Sequence, residues 1–229
     1  MLVGDVSAAD PALPQTKEII NQAFPEEQGW GVAWLEPMLG KERERAARQS
    51  LFHLLVAEEN PGNTAVGLAA AVYYHQGRPG GAASIGFLDY LAVDEVKRGQ
   101  GIGTHPYRAA LEVMEMDARR AGERFWGMAL DVDPVEIAAD EETRMICQRR
   151  LDFYGRLGAH VVSGIDFVEP AEEEGQPEEH TILLYHLVSR DIERRELASF
   201  LYELVFGLAE SHPLVRRALR AVPLQAKKV

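Results

Sequence analysis

The pattern of apolar and polar positions predicts a chain in which strands and helices alternate. Short apolar or β-branched runs bounded by turn residues are typical of strands. Such runs lie at residues 51–57, 65–75, 84–93, 125–132, 159–162 and 181–188. The turn sequence Asn60-Pro61-Gly62-Asn63 separates the first two runs, which indicates two neighbouring strands.

Apolar residues that recur every three or four positions predict helices between and after these strands. Such segments lie at residues 16–23, 34–47, 104–121, 141–157 and 192–208, and a short basic helix follows the break at His212-Pro213. Thr104 is predicted to cap the third of these helices. The apolar stripe of 192–208 is expected to cover the core, and a dimer interface or a substrate lid are the alternatives.

Length and composition favour one core with a terminal extension. The chain has 229 residues, of which 46% are hydrophobic, which is enough to fill one proper core. We expect a domain at residues 1–190, with its core at about 51–188, and a C-terminal helical extension at 191–229 packed on it.

Charge and cysteine content narrow the partners and the compartment. The formal net charge of −12 argues against nucleic acid as a partner and favours cationic ones. The single cysteine, Cys147, excludes a disulfide framework and indicates a reducing compartment. No run reaches the roughly 18 apolar residues of a membrane span, and no leader pattern begins the chain, so we expect a cytoplasmic protein that does not enter a membrane.

The stretch from Val93 to Thr104 carries the strongest chemical signal, because an apolar strand runs through a glycine-rich turn into a helix. Glycines allow a tight turn and the close approach of an anion to unpaired N–H groups at the positive end of a helix dipole. A P-loop would need Gly-Lys followed by Ser or Thr, which is absent. A Rossmann fingerprint would need glycine or alanine at Thr104 or Pro106. The turn therefore predicts a phosphate site of another kind.

Two motifs in order resemble those of the GNAT N-acetyltransferases. Arg98-x-x-Gly101-x-Gly103 is similar to the family's (Arg/Gln)-x-x-Gly-x-(Gly/Ala) loop, and residues 151–159, LDFYGRLGA, look like its late helix and the strand after it. The resemblance covers about residues 51–187. It implies an α/β fold with a central mixed, mostly antiparallel twisted sheet of about six or seven strands flanked by helices.

The resemblance also implies acetyl-CoA as the cofactor, with the glycine loop holding its diphosphate. Cys147 stands where the family commonly has an asparagine that contacts the cofactor, so the resemblance implies that Cys147 contacts the cofactor too. The implied cofactor-binding residues are Leu91, Val93, Arg98, Gly99, Gln100, Gly101, Ile102, Gly103, Thr104 and Cys147.

Three residues are expected to act on the reacting groups. By resemblance, the N–H of Leu91 faces the acyl oxygen, where negative charge develops, and Tyr154 protonates the departing thiolate. Asp89 lies two residues before Leu91, so regular alternation would put both on one strand face and make Asp89 the candidate base or anchor of a water relay. Asp131 and Asp133 are the other acids expected to face the cleft.

The implied reaction is transfer of an acetyl group to a primary amine by direct attack in a ternary complex. The acceptor is a small molecule or a protein, and the acidic chain favours a cationic one. The alternative is a non-catalytic acyl-CoA sensor or partner-binding module on the same fold. The seven histidines show no metal-ligand spacing, so no metal is expected, and a homodimer is a candidate assembly.

Overall fold

A computed structural model of the protein describes residues 1–24, 35–40, 50–59, 64–76, 83–170, 179–188 and 192–221. Its strands are β1 (Leu2–Asp5), β2 (Ser50–Glu58), β3 (Ala65–Gln76), β4 (Ala83–Val93), β5 (Arg124–Val132), β6 (Ala159–Val161), β7 (Val168–Glu169), β8 (Glu179–His180) and β9 (Ile182–Leu187). Its helices are α1 (Leu13–Ala23), α2 (Leu35–Gly40), α3 (Thr104–Ala121), α4 (Glu141–Arg156), α5 (Arg194–Leu204) and α6 (Pro213–Ala221). The chain forms two compact units, Met1–Phe125 and Trp126–Val229.

The first unit is built on an antiparallel meander in which β1 pairs with β2, β2 with β3 and β3 with β4. One face of these strands packs with α1 and α2 around Ile20, Leu35 and Leu54, all of which are fully buried. The helix α3 contacts β2, β3 and β4. Gly122 ends α3 in the left-handed conformation, with a φ of 70°, which glycine adopts without a steric penalty.

The second unit has its own antiparallel ladder, in which β9 pairs with both β5 and β6. A separate two-stranded ladder joins β7 to β8. Phe200 of α5 packs against Trp126 with ring centroids 6.0 Å apart. The hydroxyl of Tyr202 donates to the carbonyl of Val168 and accepts from its N–H, both at 3.0 Å. These contacts fix α5 over the strands of this unit.

The structure confirms the predicted α/β class, with antiparallel strands flanked by helices. Four strands in the first meander and three in the second ladder make seven, the upper end of the predicted number. The apolar stripe of α5 is buried at Leu197, Ala198 and Leu201, which favours the core-covering role over a dimer interface or a lid. The predicted turn at 60–63 and the helical positions 41–47 lie outside the described residues.

Three sequence predictions were wrong in detail. Thr104 does not cap α3: Gly103 occupies the N-cap position, without a side-chain cap, and Thr104 is the first helical residue. The helix predicted at 192–208 ends at Leu204, because the chain turns through Gly207 at a φ of 67°. The short strands β1, β7 and β8 were missed, since runs of two to four residues carry no periodic signal.

A partly buried ion cluster ties β1, β2 and α3 together in the first unit. The imidazole Nδ1 of His53 donates to Asp5 Oδ2 and its Nε2 donates to Asp117 Oδ2, both at 2.7 Å. Because both partners are carboxylates, both ring nitrogens must carry protons. Burial by itself lowers the pKa of His53, but the hydrogen bonds with Asp117 and Asp5 outweigh it and raise the pKa to about 9.

This cluster predicts a loss of stability in mild alkali. The folded protein keeps the His53 proton up to a pKa of about 9, whereas the unfolded chain loses it near 6.5. The free energy of unfolding should therefore fall by about 3 kcal/mol between pH 6.5 and pH 9 and then level off. Urea unfolding across this range measures the slope. His53→Gln is the control and should be less stable at pH 6.5 but lack this slope, and equal slopes in both proteins would contradict the assignment.

Candidate functional site

The glycine turn predicted from the sequence lies between β4 and α3. After Val93, Asp94 caps a 3₁₀ turn at Glu95–Lys97 by accepting from the N–H of Val96 at 3.1 Å. Gly99 and Gly101 then adopt φ values of 80° and 76°. A Cβ at either glycine would meet no heavy atom within 4 Å, so the requirement for glycine is one of backbone conformation, and the outer side of the turn is open.

The turn presents main-chain donors ahead of α3. The N–H groups of Thr104 and His105 close the first turn onto the carbonyls of Gly101 and Ile102. Within the described part of the chain, none of the N–H groups of residues 99–103 donates to a backbone carbonyl. Successive N–H groups at the positive end of a helix dipole suit a diphosphate. The backbone therefore fits the group that the sequence motif predicted for it.

Ile102 anchors the turn to the body of the first unit. Its side chain is 5% exposed and is buried in a small cluster with Ala57 and Val66, against which Val93 also packs. Gly67 makes room for it, because a Cβ there would lie 3.1 Å from Ile102 Cγ2 and 3.2 Å from the carbonyl oxygen of Ala92. Ile102 thus has a packing role that the sequence pattern did not reveal.

The polar residues of the turn point to different partners. Arg98 is exposed, and its Nε donates to the carbonyl of Val93 at 3.3 Å, so its guanidinium lies back over the end of β4. Gln100 is exposed, whereas Thr104 is half-buried. Lys97 forms an ion pair with Glu59 at 2.6 Å. Among these groups, Arg98 and Gln100 are the predicted cofactor residues with the freest access to solvent.

The strand β4 contains a bulge at Asp89. In its pairing with β3, Ala70 faces Tyr90 and Ala71 faces Leu88, so Asp89 is the inserted residue. The regular alternation on which the sequence argument for Asp89 and Leu91 relied is therefore interrupted at this point. Asp89 is exposed. Bulges are common beside functional sites because they redirect a side chain and break the ladder.

Tyr154 and Cys147 lie on α4 in the second unit, two helical turns apart and so on one face. Tyr154 is half-buried, and burial raises the pKa of its hydroxyl, while the charge of Arg150 opposes this and the charge of Asp131 adds to it. The phenol is protonated at neutral pH, as a tyrosine with the ordinary pKa of about 10 also is. Cys147 is 2% exposed, a position typical of a packed thiol.

A cluster of charged groups accompanies Tyr154. Arg150 donates to Asp133 Oδ2 at 2.7 Å, linking α4 to the segment after β5. Asp131 faces Leu183 across the β5 and β9 ladder. Burial raises the pKa of Asp131 to about 6, the neighbouring Glu169 side chain opposes this, and the charge of Asp133 adds to it. The part played by Glu169 was missed, since a residue of a two-residue strand far along the chain gives no local signal.

Comparison with known proteins identifies the family. A family model described as the acetyltransferase (GNAT) family matches residues 13–158, more than half of the chain. The chain belongs to the GNAT acetyltransferases. Acetyl-CoA is the acetyl donor of this family, which confirms the predicted cofactor. No curated protein matches the chain by sequence.

Solved structures share the fold of this GNAT chain. A protein described as an acetyltransferase of the GNAT family from Bacteroides thetaiotaomicron is 17% identical with a TM-score of 0.57, covering 91% of this chain and 99% of its own. An aminoglycoside 6'-N-acetyltransferase complexed with coenzyme A is 18% identical with a TM-score of 0.52, covering 84% and 100%. Arabidopsis thaliana NAA60 in complex with acetyl-CoA is 12% identical with a TM-score of 0.54, covering 82% and 99%.

Two kinds of feature are absent from the described residues. No helix among them is long and apolar enough to cross a membrane. Those same residues also contain no group of three or more histidine, cysteine, aspartate or glutamate side chains arranged to hold a metal ion.

The packing of Ile102 predicts a coupled loss of stability and cofactor affinity. Ile102→Ala should lower the free energy of unfolding by about 2 kcal/mol, the low end for a buried isoleucine because its cluster is small. It should also weaken CoA binding about tenfold, since the turn must then be ordered when the ligand binds. Val96→Ala is the matched control, because Val96 is 80% exposed in the same segment. Calorimetric CoA titration of the folded variants measures the effect, and unchanged affinity in Ile102→Ala would refute the anchoring role.

Proposed function

We propose that this protein catalyses the acetyl-CoA-dependent acetylation of a primary amine, by direct attack in a ternary complex. The observation that carries the proposal is the turn between β4 and α3. Two glycines at positive φ and a row of N–H groups ahead of a helix suit a diphosphate, and the chain belongs to an acetyltransferase family. When bound, acetyl-CoA supplies the activated acetyl group.

The proposed cofactor contacts divide between the backbone and the side chains. The N–H groups of residues 99–103 hold the diphosphate, with Arg98, Gln100 and Thr104 at the rim and Cys147 as a further contact. The N–H of Leu91 is proposed to donate to the acyl oxygen, and Val93 to pair with the pantetheine amides. The bulge at Asp89, two residues before Leu91, supports a site at this part of β4, because bulges are common beside functional sites.

Tyr154 is the proposed acid for the departing thiol. A thiol has a pKa near 8.5, so a neutral hydroxyl beside the sulfur eases departure by donating a proton. The phenol is in the donor form that this role needs, because a tyrosine hydroxyl is protonated at neutral pH even at its ordinary pKa of about 10.

Two carboxylates are candidates for taking the proton from the acceptor. Asp89 was the candidate from sequence, and its exposure in the bulge suits the anchor of a water relay. Asp131 is favoured by its pKa of about 6, because a base works best when its pKa lies just below the working pH. Since an alkylammonium arrives mostly protonated, carboxylates at the site also favour a cationic acceptor.

The class of acceptor is a further part of the proposal. A primary amine on a small molecule or a protein fits the charge of −12 and the carboxylates described above. One fold neighbour is by name an aminoglycoside 6'-N-acetyltransferase, which is consistent with an amine acceptor. The cytoplasm is the proposed location, because Cys147 is buried and is the only cysteine of the sequence. A homodimer stays a prediction.

Tyr154→Phe tests the reaction and the acid together. A panel of primary amines is screened with acetyl-CoA by release of free thiol, and CoA binding is titrated in parallel by calorimetry. The variant should bind CoA as the wild type does but lower kcat by about 100-fold, the usual contribution of a positioned acid. Equal kcat in both proteins would remove Tyr154 from the mechanism. CoA binding without turnover on any amine would favour the alternative, a non-catalytic acyl-CoA sensor.

The pH profile distinguishes the two candidate bases. If Asp131 takes the proton, kcat/KM should fall below about pH 6, where its carboxyl becomes protonated. Asp131→Asn should then lose most activity. Asp89→Asn should stay active and keep the fall of kcat/KM below about pH 6, which is the acidic limb of the profile. The opposite pattern, with the limb intact in Asp131→Asn and activity lost in Asp89→Asn, would assign the base to Asp89.

A further inference from the structure

The C-terminal helices border an open basic cleft that the proposed acetyl transfer does not use. It lies in the second unit between α5 and α6 and has a volume of about 410 Å³. Its lining residues are Arg195, Glu210, Ser211, Arg216, Leu219 and Arg220. Three arginines face a single carboxylate there, in a chain whose formal net charge is −12. The cleft is thus opposite in sign to the protein as a whole.

Packing fixes the direction in which the arginines of α6 project. Its apolar residues Leu214, Val215 and Ala218 are 1–5% exposed, so this face is held against the rest of the unit. Arg216 and Arg220 are exposed and lie four residues apart, one turn above the other. Like charges at this spacing repel each other, and an anion bound between them would remove the repulsion.

Arg195 closes the cleft from the side of α5. One guanidinium nitrogen donates to the carbonyl of Leu219 at 3.5 Å and the other approaches Glu210 Oε1 at 3.4 Å. Both distances are long for charge-assisted hydrogen bonds, which are typically about 2.7–2.9 Å. A guanidinium has five N–H donors in a planar fork, so Arg195 keeps donors for a ligand while it holds the end of α6.

We propose that this cleft binds a small organic anion carrying at least two carboxylate or phosphate groups. Arginine forks match the planar pair of oxygens on such groups, the Ser211 hydroxyl adds a donor and acceptor, and Leu219 provides an apolar wall. The cleft volume lies in the range of ligand pockets, about 300–1,000 Å³. This inference is independent of the proposed acetyl transfer, since the cleft lies outside the residues assigned to it.

Citrate and inorganic pyrophosphate are the probes for the two anion chemistries. Each is titrated by calorimetry into the full-length protein at low ionic strength, in the absence and the presence of saturating CoA. At least one should bind with a Kd of about 1 mM or tighter, and CoA should leave that binding unchanged. The tighter probe identifies carboxylate or phosphate as the preferred group. Absence of binding by both probes at about 10 mM, or complete competition by CoA, would overturn the proposal.

Variants that remove one positive charge show whether anion binding is specific to the cleft or reflects only the net charge of the protein. Arg216→Gln and Arg220→Gln should each weaken binding about tenfold, the effect of losing one charge-assisted contact. Arg216→Lys keeps the charge without the fork and should fall between wild type and Arg216→Gln. Arg144→Gln is the matched control, because it removes the same charge from an exposed side chain on α4. If it weakens binding as much as Arg216→Gln does, the cleft is not a specific site.

Discussion

The burial of Ile102, directly after two glycines at positive φ, is the constraint on which the shape of the turn between β4 and α3 depends. Gly99 and Gly101 let the backbone turn at positive φ, but glycines also make a chain flexible. Ile102 opposes this by packing with Ala57 and Val66. The side chain removes the freedom that glycine introduces, so the donors are arranged before any anion arrives, and a preorganised site loses less entropy on binding.

In the second unit, neighbouring charges and burial set the protonation states of two side chains. Arg150 forms an ion pair with Asp133. Asp131 is less exposed than Asp133, and burial raises its pKa to about 6. Burial also raises the pKa of Tyr154. One group is thereby ready to accept a proton near neutrality and the other keeps its own. Environments that push two titratable groups apart in this way are the usual means of providing both an acid and a base at pH 7.

Charge also differs between parts of the chain. In the first unit the acids are partly neutralised from within, because Asp5 and Asp117 share the protonated His53. In the C-terminal helices, arginines collect on the exposed side of a helix whose apolar side is buried. The overall charge of −12 therefore describes neither region, and a ligand would meet local fields of opposite sign at different places.

The sequence by itself determined the α/β class, most of the strands and helices, and the glycine turn, because periodicity, turn chemistry and spacing are local properties. The motif at residues 151–159 also singled out Tyr154 as the candidate acid. Only the tertiary structure decided the bulge at Asp89, the anchoring of Ile102 and the pairing of His53 with two carboxylates. A bulge depends on the register between two strands, the burial of Ile102 depends on the distant Ala57 and Val66, and the pKa of His53 depends on carboxylates 48 and 64 positions away. Such relations exist only after the chain has folded, so no local pattern records them.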